Sequence, residues 1–282
     1  MSVKIIADST CDLSIQLIDR YNISILPLHI IMDEVSYSDG IDVSPQDIFR
    51  WSDQTEKTPK TSAPSLQEAM DLFEKTVEDG DELICFAIGS HFSSSYNVMR
   101  LAAEELEIDD RTYVVDSETL SCGTGLLILE AAKLAEEGLK AADIYDRIEE
   151  LKKKVNCSFI VDTLTYLHRG GRCDGLSMMV GSALQLHPKL CVENGVIHST
   201  KKYRGRMNRV INEYMYDLMH QIENADRKNI FIIDSGCDQS TLSEIRKFID
   251  TRDFENVHVV KAGGVISSHC GPGAFGLMFL NR

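Results

Sequence analysis

Leu83-Ile84-Cys85-Phe86-Ala87-Ile88-Gly89-Ser90-His91-Phe92-Ser93-Ser94-Ser95-Tyr96 is the stretch that decides the fold. Six apolar residues in succession have strand length, a run of serines follows, and a helical pattern starts at Tyr96. Strand, hydroxyl-rich loop and helix form the repeating unit of an α/β protein, and the same alternation extends in both directions. Strands are predicted over 3–7, 23–30, 83–88, 112–115, 158–162, 190–192, 229–234 and 257–261. Helices are predicted over 12–20, 45–52, 66–79, 95–106, 120–137, 141–154, 206–225 and 240–250. Ser44-Pro45-Gln46-Asp47 reads as a helix start, with an N-cap serine, proline in the first turn and an acid beside the positive end of the dipole. The expected class is α/β with mostly parallel strands.

A chain of 282 residues fits two lobes that each bury a core. The boundary is placed near 155, after Leu151-Lys152-Lys153-Lys154, giving lobes 1–155 and 156–282. A weak echo supports two lobes. Asp8-Ser9-Thr10-Cys11 resembles Asp234-Ser235-Gly236-Cys237, and Asp116-Ser117 is shorter still. Each sits at the carboxyl end of a predicted strand, where α/β sheets carry ligand loops, although Asp and Ser also serve there simply as helix caps.

The net charge of -15 argues against a general nucleic-acid or anionic-membrane surface. No apolar run approaches the roughly 18 residues of a spanning helix. The first residues, Met1 to Asp8, run straight into a strand pattern without a signal-peptide core, so a cytoplasmic location is expected. Eight cysteines form no Cys-x-x-Cys pair and His-Glu-x-x-His is absent, so no metal is expected. Cys85 and Cys191 lie in apolar runs and read as small core residues.

Thr61-Ser62-Ala63-Pro64-Ser65 places three hydroxyls in five residues, and Ser65 with Glu68 has capping-box spacing. With Ser93-Ser94-Ser95 it predicts two helix starts, rich in hydroxyls and poor in charge, facing one small anionic head group. Gly271-Pro272-Gly273-Ala274-Phe275-Gly276 has the Gly-x-Gly-x-x-Gly pattern, but only six residues follow it, too few for a dinucleotide-binding unit. Its glycines read instead as a close backbone approach with His269 just before them. Gly-x-Ser-x-Gly and the phosphate-binding Gly-x-x-x-x-Gly-Lys-Ser/Thr are both missing. Arg169-Gly170-Gly171-Arg172 reads either as an anion clamp or as an exposed turn. The basic group Lys201, Lys202, Arg204, Arg206 and Arg209 reads either as a solvated helix start or as a docking face. Ser177 to Leu184, with Met178, Met179 and Ala183, is small and adaptable and would suit a hydrocarbon wall as well as an ordinary core.

In this order and spacing, these motifs resemble the DegV family of bacterial fatty-acid-binding proteins over nearly the whole chain. The resemblance rests on Asp8-Ser9-Thr10, Thr61 to Ser65, Ser93 to Tyr96, and Asp116-Ser117 followed by Ser121 and Gly123. It continues through Leu167 to Arg172, Pro188-Lys189, and His269-Cys270-Gly271-Pro272-Gly273-Ala274. It implies a two-lobed fold with a mostly parallel sheet in the N-terminal lobe, a second α/β lobe, and one long-chain fatty acid buried between them. It implies carboxylate binding by Thr61, Ser62, Ser93, Ser94 and His269, with no other cofactor. The acyl tunnel is expected along Leu28, Ile30, Phe92, Met178, Met179, Ala183 and Phe275. It further implies handover of the carboxylate to a separate ATP-using kinase subunit that makes acyl phosphate, with docking expected at Arg169, Arg172, Lys202 and Arg204. Transient membrane contact is left open. His91 and Ser94 stand where many relatives carry glycine. The alternative from the residues alone is a hydrolase or acyltransferase for small acyl substrates, using Ser93 or Thr61 with His269. The chemistry of a carrier is coherent. Burying a C16 tail at about 0.8 kcal/mol per methylene contributes on the order of 12 kcal/mol before entropic costs, while hydroxyls and N–H groups receive the carboxylate.

Overall fold

The computed structural model describes residues 2–78, 80–172 and 186–282. Met178, Met179 and Ala183, expected along the tunnel, lie outside the described residues.

The apolar run from Leu83 to Ile88 forms β6 (Glu82–Ala87). It pairs in parallel with β1 (Val3–Asp8) and β7 (Thr112–Asp116), and β1 pairs in parallel with β2 (Ile23–Leu26). The order is β2-β1-β6-β7. The chain moves outward in opposite directions from the β1/β6 junction, so the crevice at the carboxyl ends of those two strands is the place where such a sheet offers a ligand site. Alternate side chains divide between the faces. Leu83, Cys85 and Ala87 pack with α3 (Leu66–Thr76) and α4 (Ser95–Glu105), while Ile84 and Phe86 face the opposite way.

On that opposite side lies α5 (Cys122–Glu136), whose sequence is apolar on nearly every side and which buries eleven of its fifteen residues. A helix of this kind has no face to give to water. It is covered on one side by the parallel sheet and on the other by a six-stranded sheet of order β10-β9-β8-β13-β11-β12. The second sheet comprises β8 (Val155–Ile160), β9 (Leu186–Glu193), β10 (Val196–Arg204), β11 (Ala225–Asp234), β12 (Asn256–Lys261) and β13 (Phe275–Asn281). In β13, Met278 and Leu280 face α5, while Phe275, Leu277 and Phe279 face α8 (Met207–Glu223) and α9 (Gln239–Asp250). Two sheets with helices inside and outside therefore share one continuous core.

The class is α/β, with the parallel sheet confined to the N-terminal part. The expectation of mostly parallel strands does not hold for the second sheet, where only β11 and β12 run parallel. Hairpin connections and the return of the chain through β13 dictate the antiparallel pairing. The run 23–30 also divides. After β2 the chain leaves the parallel sheet and forms β3 (His29–Met32), the centre of a small antiparallel sheet with β4 (Val35–Ser38) and β5 (Lys60–Ser62). The capping box read at Ser65 with Glu68 is made at α3, and the helix start read at Ser44 closes as a second capping box with Asp47 at α2 (Pro45–Thr55). Leu127, at the centre of the shared core, is fully buried. Leu127→Ala is expected to lower stability by about 2–5 kcal/mol. Urea unfolding should show this as an earlier single transition, because both sheets pack on the same helix.

Candidate functional site

A cavity of about 230 Å³ opens beside the β1/β6 junction. Its polar end carries Thr61, Ser62, Ser93, Ser94, Arg172 and His269, and its apolar end includes Leu28, Ile88, Phe92, Leu120, Phe159 and Ile266. All five residues expected to receive a carboxylate are thus brought together, although they come from segments more than 200 residues apart. Of the expected tunnel residues, Leu28 and Phe92 line this cavity. Ile30 does not. Its side chain is buried with Ile48 and Val265 beneath the small sheet. Phe275 does not line it either, because the β-alternation turns its side chain to the α8 and α9 face.

Each polar group has a local cause. Thr61 sits in β5, paired opposite Ile30, so the segment read as a loop is held by a strand ladder. Ser93 ends the loop after β6, and its hydroxyl lies 2.8 Å from that of Ser95 and accepts from the Ser95 N–H at 3.3 Å. Helix α4 has no side-chain cap from Ser94. Helix α3 does not share this property. Its first N–H groups are taken by its own capping box and its start does not line the cavity, so one helix start faces the site, not two. Ser94 lines the cavity, while His91 is exposed and lies against Gly195, where a β-carbon would come within 2.8 Å of its Nδ1.

His269 belongs to α10 (Gly264–Cys270), and its Nε2 lies 2.9 Å from Thr61 Oγ1. Its Nδ1 is buried and has no hydrogen-bond partner among the described residues. Burial, with the Arg172 guanidinium as a lesser cause, pushes the imidazole pKa down from 6.5 to about 4, so the ring is neutral near pH 7. The Arg-Gly-Gly-Arg turn acquires its meaning here. It follows α7 (Thr165–Arg169), and a β-carbon at Gly170 would overlap His269 Nδ1. Gly171 takes the left-handed φ of +68°, which turns the chain back so that Arg172 enters the cavity wall. Arg172 donates to the Phe92 carbonyl at 2.9 and 3.2 Å and to the Gly170 carbonyl at 2.7 Å. No carboxylate lines the cavity, and Arg172 has no ion-pair partner among the described residues. Sequence reading grouped Arg172 with exposed docking residues. The spacing after two glycines was the signal that it turns inward. Arg169 is exposed and donates to the Glu56 carbonyl at 3.2 Å, while Lys202 and Arg204 are exposed on the edge strand β10.

A nucleophile and base would need a third group to orient the imidazole, and Nδ1 has no such partner among the described residues. No cluster of three or more His, Cys, Asp or Glu side chains fit for a metal occurs among the described residues, and no described helix is long and apolar enough to cross a membrane. A void of about 20 Å³ continues beyond the apolar end, sharing Leu120, Phe159, Ile266 and Cys270 with the first cavity and bordered further on by Ile233, Ala262 and Met278.

Gly170→Ala is expected to displace the imidazole. The sign follows from burial: a histidine held below 6.5 stabilises the fold fully above that pH, and the contribution falls as pH drops toward 4. Displacing the ring should raise its pKa toward 6.5, read by NMR titration, and overpacking should cost about 1–3 kcal/mol.

Residues 2–282 match a family profile described as "Uncharacterised protein, DegV family". Three solved structures share the fold. A fatty-acid-binding DegV family protein from Thermus thermophilus is 28% identical, with a TM-score of 0.91 and 100% of both chains covered. A stearic-acid-binding protein from Eubacterium ventriosum is 28% identical, with a TM-score of 0.86 over 100% of this chain and 98% of that one. The fatty acid kinase B3 protein of Streptococcus pneumoniae, loaded with linoleic acid, is 20% identical, with a TM-score of 0.85 over 100% of both chains, a likeness of fold.

Proposed function

The chain belongs to the DegV family, and from that membership we propose that it holds one long-chain fatty acid and presents the carboxylate to a separate ATP-using kinase subunit. One observation carries the binding reading: a largely apolar cavity whose wall gathers hydroxyls, a neutral imidazole and a guanidinium, with no acid among the described lining residues. The fatty-acid-binding relatives at 28% identity agree with it.

In this reading Arg172 supplies the charge that a carboxylate needs when it leaves water. His269 sets the direction of a hydroxyl. Its Nδ1 has no acceptor in reach, and an orphaned buried N–H is rarer than an orphaned lone pair, so the proton belongs on Nε2. Nε2–H then donates to Thr61 Oγ1, and the Thr61 hydroxyl is left to donate to the ligand. Ser93 and the uncapped start of α4 receive the second carboxylate oxygen. The tail lies along Leu28, Phe92 and Ile266. The 230 Å³ cavity is smaller than the roughly 300–1,000 Å³ of common ligand sites. The tail therefore parts Leu120, Phe159, Ile266 and Cys270 and joins the cavity to the smaller void behind them.

The handover extends the family resemblance. This chain supplies binding and orientation, and phosphoryl transfer belongs to the partner, which docks on the exposed cations Arg169, Lys202 and Arg204. The lobes 1–155 and 156–282 then act as two walls closed on one ligand.

Native mass spectrometry followed by lipid extraction tests the reading directly. A stoichiometric free fatty acid is expected, and an empty protein that also fails to take up added palmitate would sink it. Thr61→Ala combined with Ser93→Ala is expected to weaken palmitate binding by about 3–6 kcal/mol, two hydrogen bonds to a charged group at roughly 1.5–3 each. Circular dichroism should be unchanged, and acyl-phosphate formation with a fatty acid kinase should fall in parallel.

A further inference from the structure

The last turn of α10 presents His269, yet the helix is only seven residues long and has a glycine, Gly263, at its N-cap with no side chain to hold it. A helix this short has little stability of its own. Its first N–H groups are taken from far away in sequence. Gly263 donates to Asp12 Oδ1 at 2.8 Å, while Gly264 and Val265 both donate to Asp39 Oδ1, at 2.8 and 3.3 Å. Glycine is required for the approach, since a β-carbon at Gly264 would come within 2.8 Å of Asp39 Oδ1 and 2.5 Å of Ile30 Cδ1.

Both carboxylates are themselves anchored. Asp39 Oδ2 accepts from Ser9 Oγ at 2.8 Å, and Asp12 Oδ2 accepts from Ser121 Oγ. Ser121 takes the unusual backbone angles φ 56°, ψ −140° at the start of α5. Both acids are buried, which raises both pKa values, that of Asp12 to about 8, and neither has an ion-pair partner among the described residues, so hydrogen bonds to their carboxyl groups alone hold them. The other acid beside them is Asp8, which is occupied by Thr10 and the Ile88 N–H.

The geometry couples the two ends of the helix. Asp39 directly follows Ser38, which pairs with His29 on β3, and the neighbouring Ile30 pairs with Thr61 on β5. The small sheet therefore grips α10 at its first turn through Asp39. It meets the helix again about 7.5 Å further along the axis, where Thr61 faces His269.

We propose that Asp39, seconded by Asp12, is a positioning residue for His269: the two carboxylates hold the first turn of α10 and so fix where its last turn presents the imidazole. The inference rests on the fatty-acid reading for its consequence, but its test does not.

The test is the titration of His269 in lipid-free protein, followed by NMR on ¹³C-labelled histidine. The groups that face the ring are Arg172 and the Thr61 hydroxyl, and neither is altered. In the unsubstituted protein the ring should titrate near 4. In Asp39→Ala the helix start is released, the ring hydrates, and its pKa should rise toward 6.5. Asp39→Asn, which keeps an acceptor oxygen, should restore most of the low value. If only a tenth of molecules keep the imidazole in place, palmitate affinity falls about tenfold. A folded Asp39→Ala protein whose His269 titrates as before overturns the proposal, because a merely stabilising acid would lower the melting temperature and leave that titration alone. Should Asp39→Ala fail to fold, Ser9→Ala removes the Asp39 anchor with the carboxylate retained. A partial upward shift then supports the clamp and an unmoved titration overturns it. Failure of unsubstituted protein to bind palmitate would remove the fatty-acid reading and leave this result standing.

Discussion

A helix that is apolar on nearly every side cannot lie on a surface, and α5 imposes that constraint on the whole molecule. Its buried flank must be met by one sheet and its other flank by a second. The parallel sheet meets the first and the six-stranded sheet the second. Everything else follows as cover. Helices α3 and α4 close the outer face of one sheet and α8 and α9 the outer face of the other. The cavity lies where loops at the carboxyl ends of the parallel strands run against the second sheet and α10, along the edge of the shared core.

Much of this was legible in the sequence, for physical reasons that particular residues illustrate. The runs Leu83 to Ile88 and Ile230 to Asp234 have strand length and composition, and the Ser-x-x-Asp and Ser-x-x-Glu starts at 44 and 65 announce helices. The hydroxyls at Thr61 and Ser93 and the imidazole at His269 do converge on one cavity. What escaped was everything set by partners distant in the chain. Strand β13 follows a glycine-rich turn, and only its neighbours β8 and β11 make it a central strand. The strand character of Thr61 comes from Ile30, and Ile30 itself is drawn into a cluster with Ile48 and Val265. Period-two alternation turns the ring of Phe275 to the α8 and α9 face, so that it borders only the small void behind the cavity, a choice that depends on register and cannot be read from apolarity.

The inward turn of Arg172 shows where local sequence almost sufficed. Gly170 is needed because the imidazole occupies the place of its side chain, and Gly171 because of its left-handed φ. Two glycines with different duties in succession look the same as a flexible turn until the imidazole that Gly170 accommodates, 99 positions further on, is seen beside it.

The placement of β13 has a consequence for how the molecule comes into being. The strand nearest the carboxyl end sits in the interior of its sheet and is the only link by which β8 and β9 hydrogen-bond to β11 and β12. As the chain emerges from the ribosome, the parallel sheet and α5 are complete long before the surface that must cover the other flank of α5 can close. The cavity, which requires both α10 and the strands it lies between, is among the last features to form. The nascent protein therefore passes through a long interval with an uncovered apolar helix, the state on which holding chaperones act.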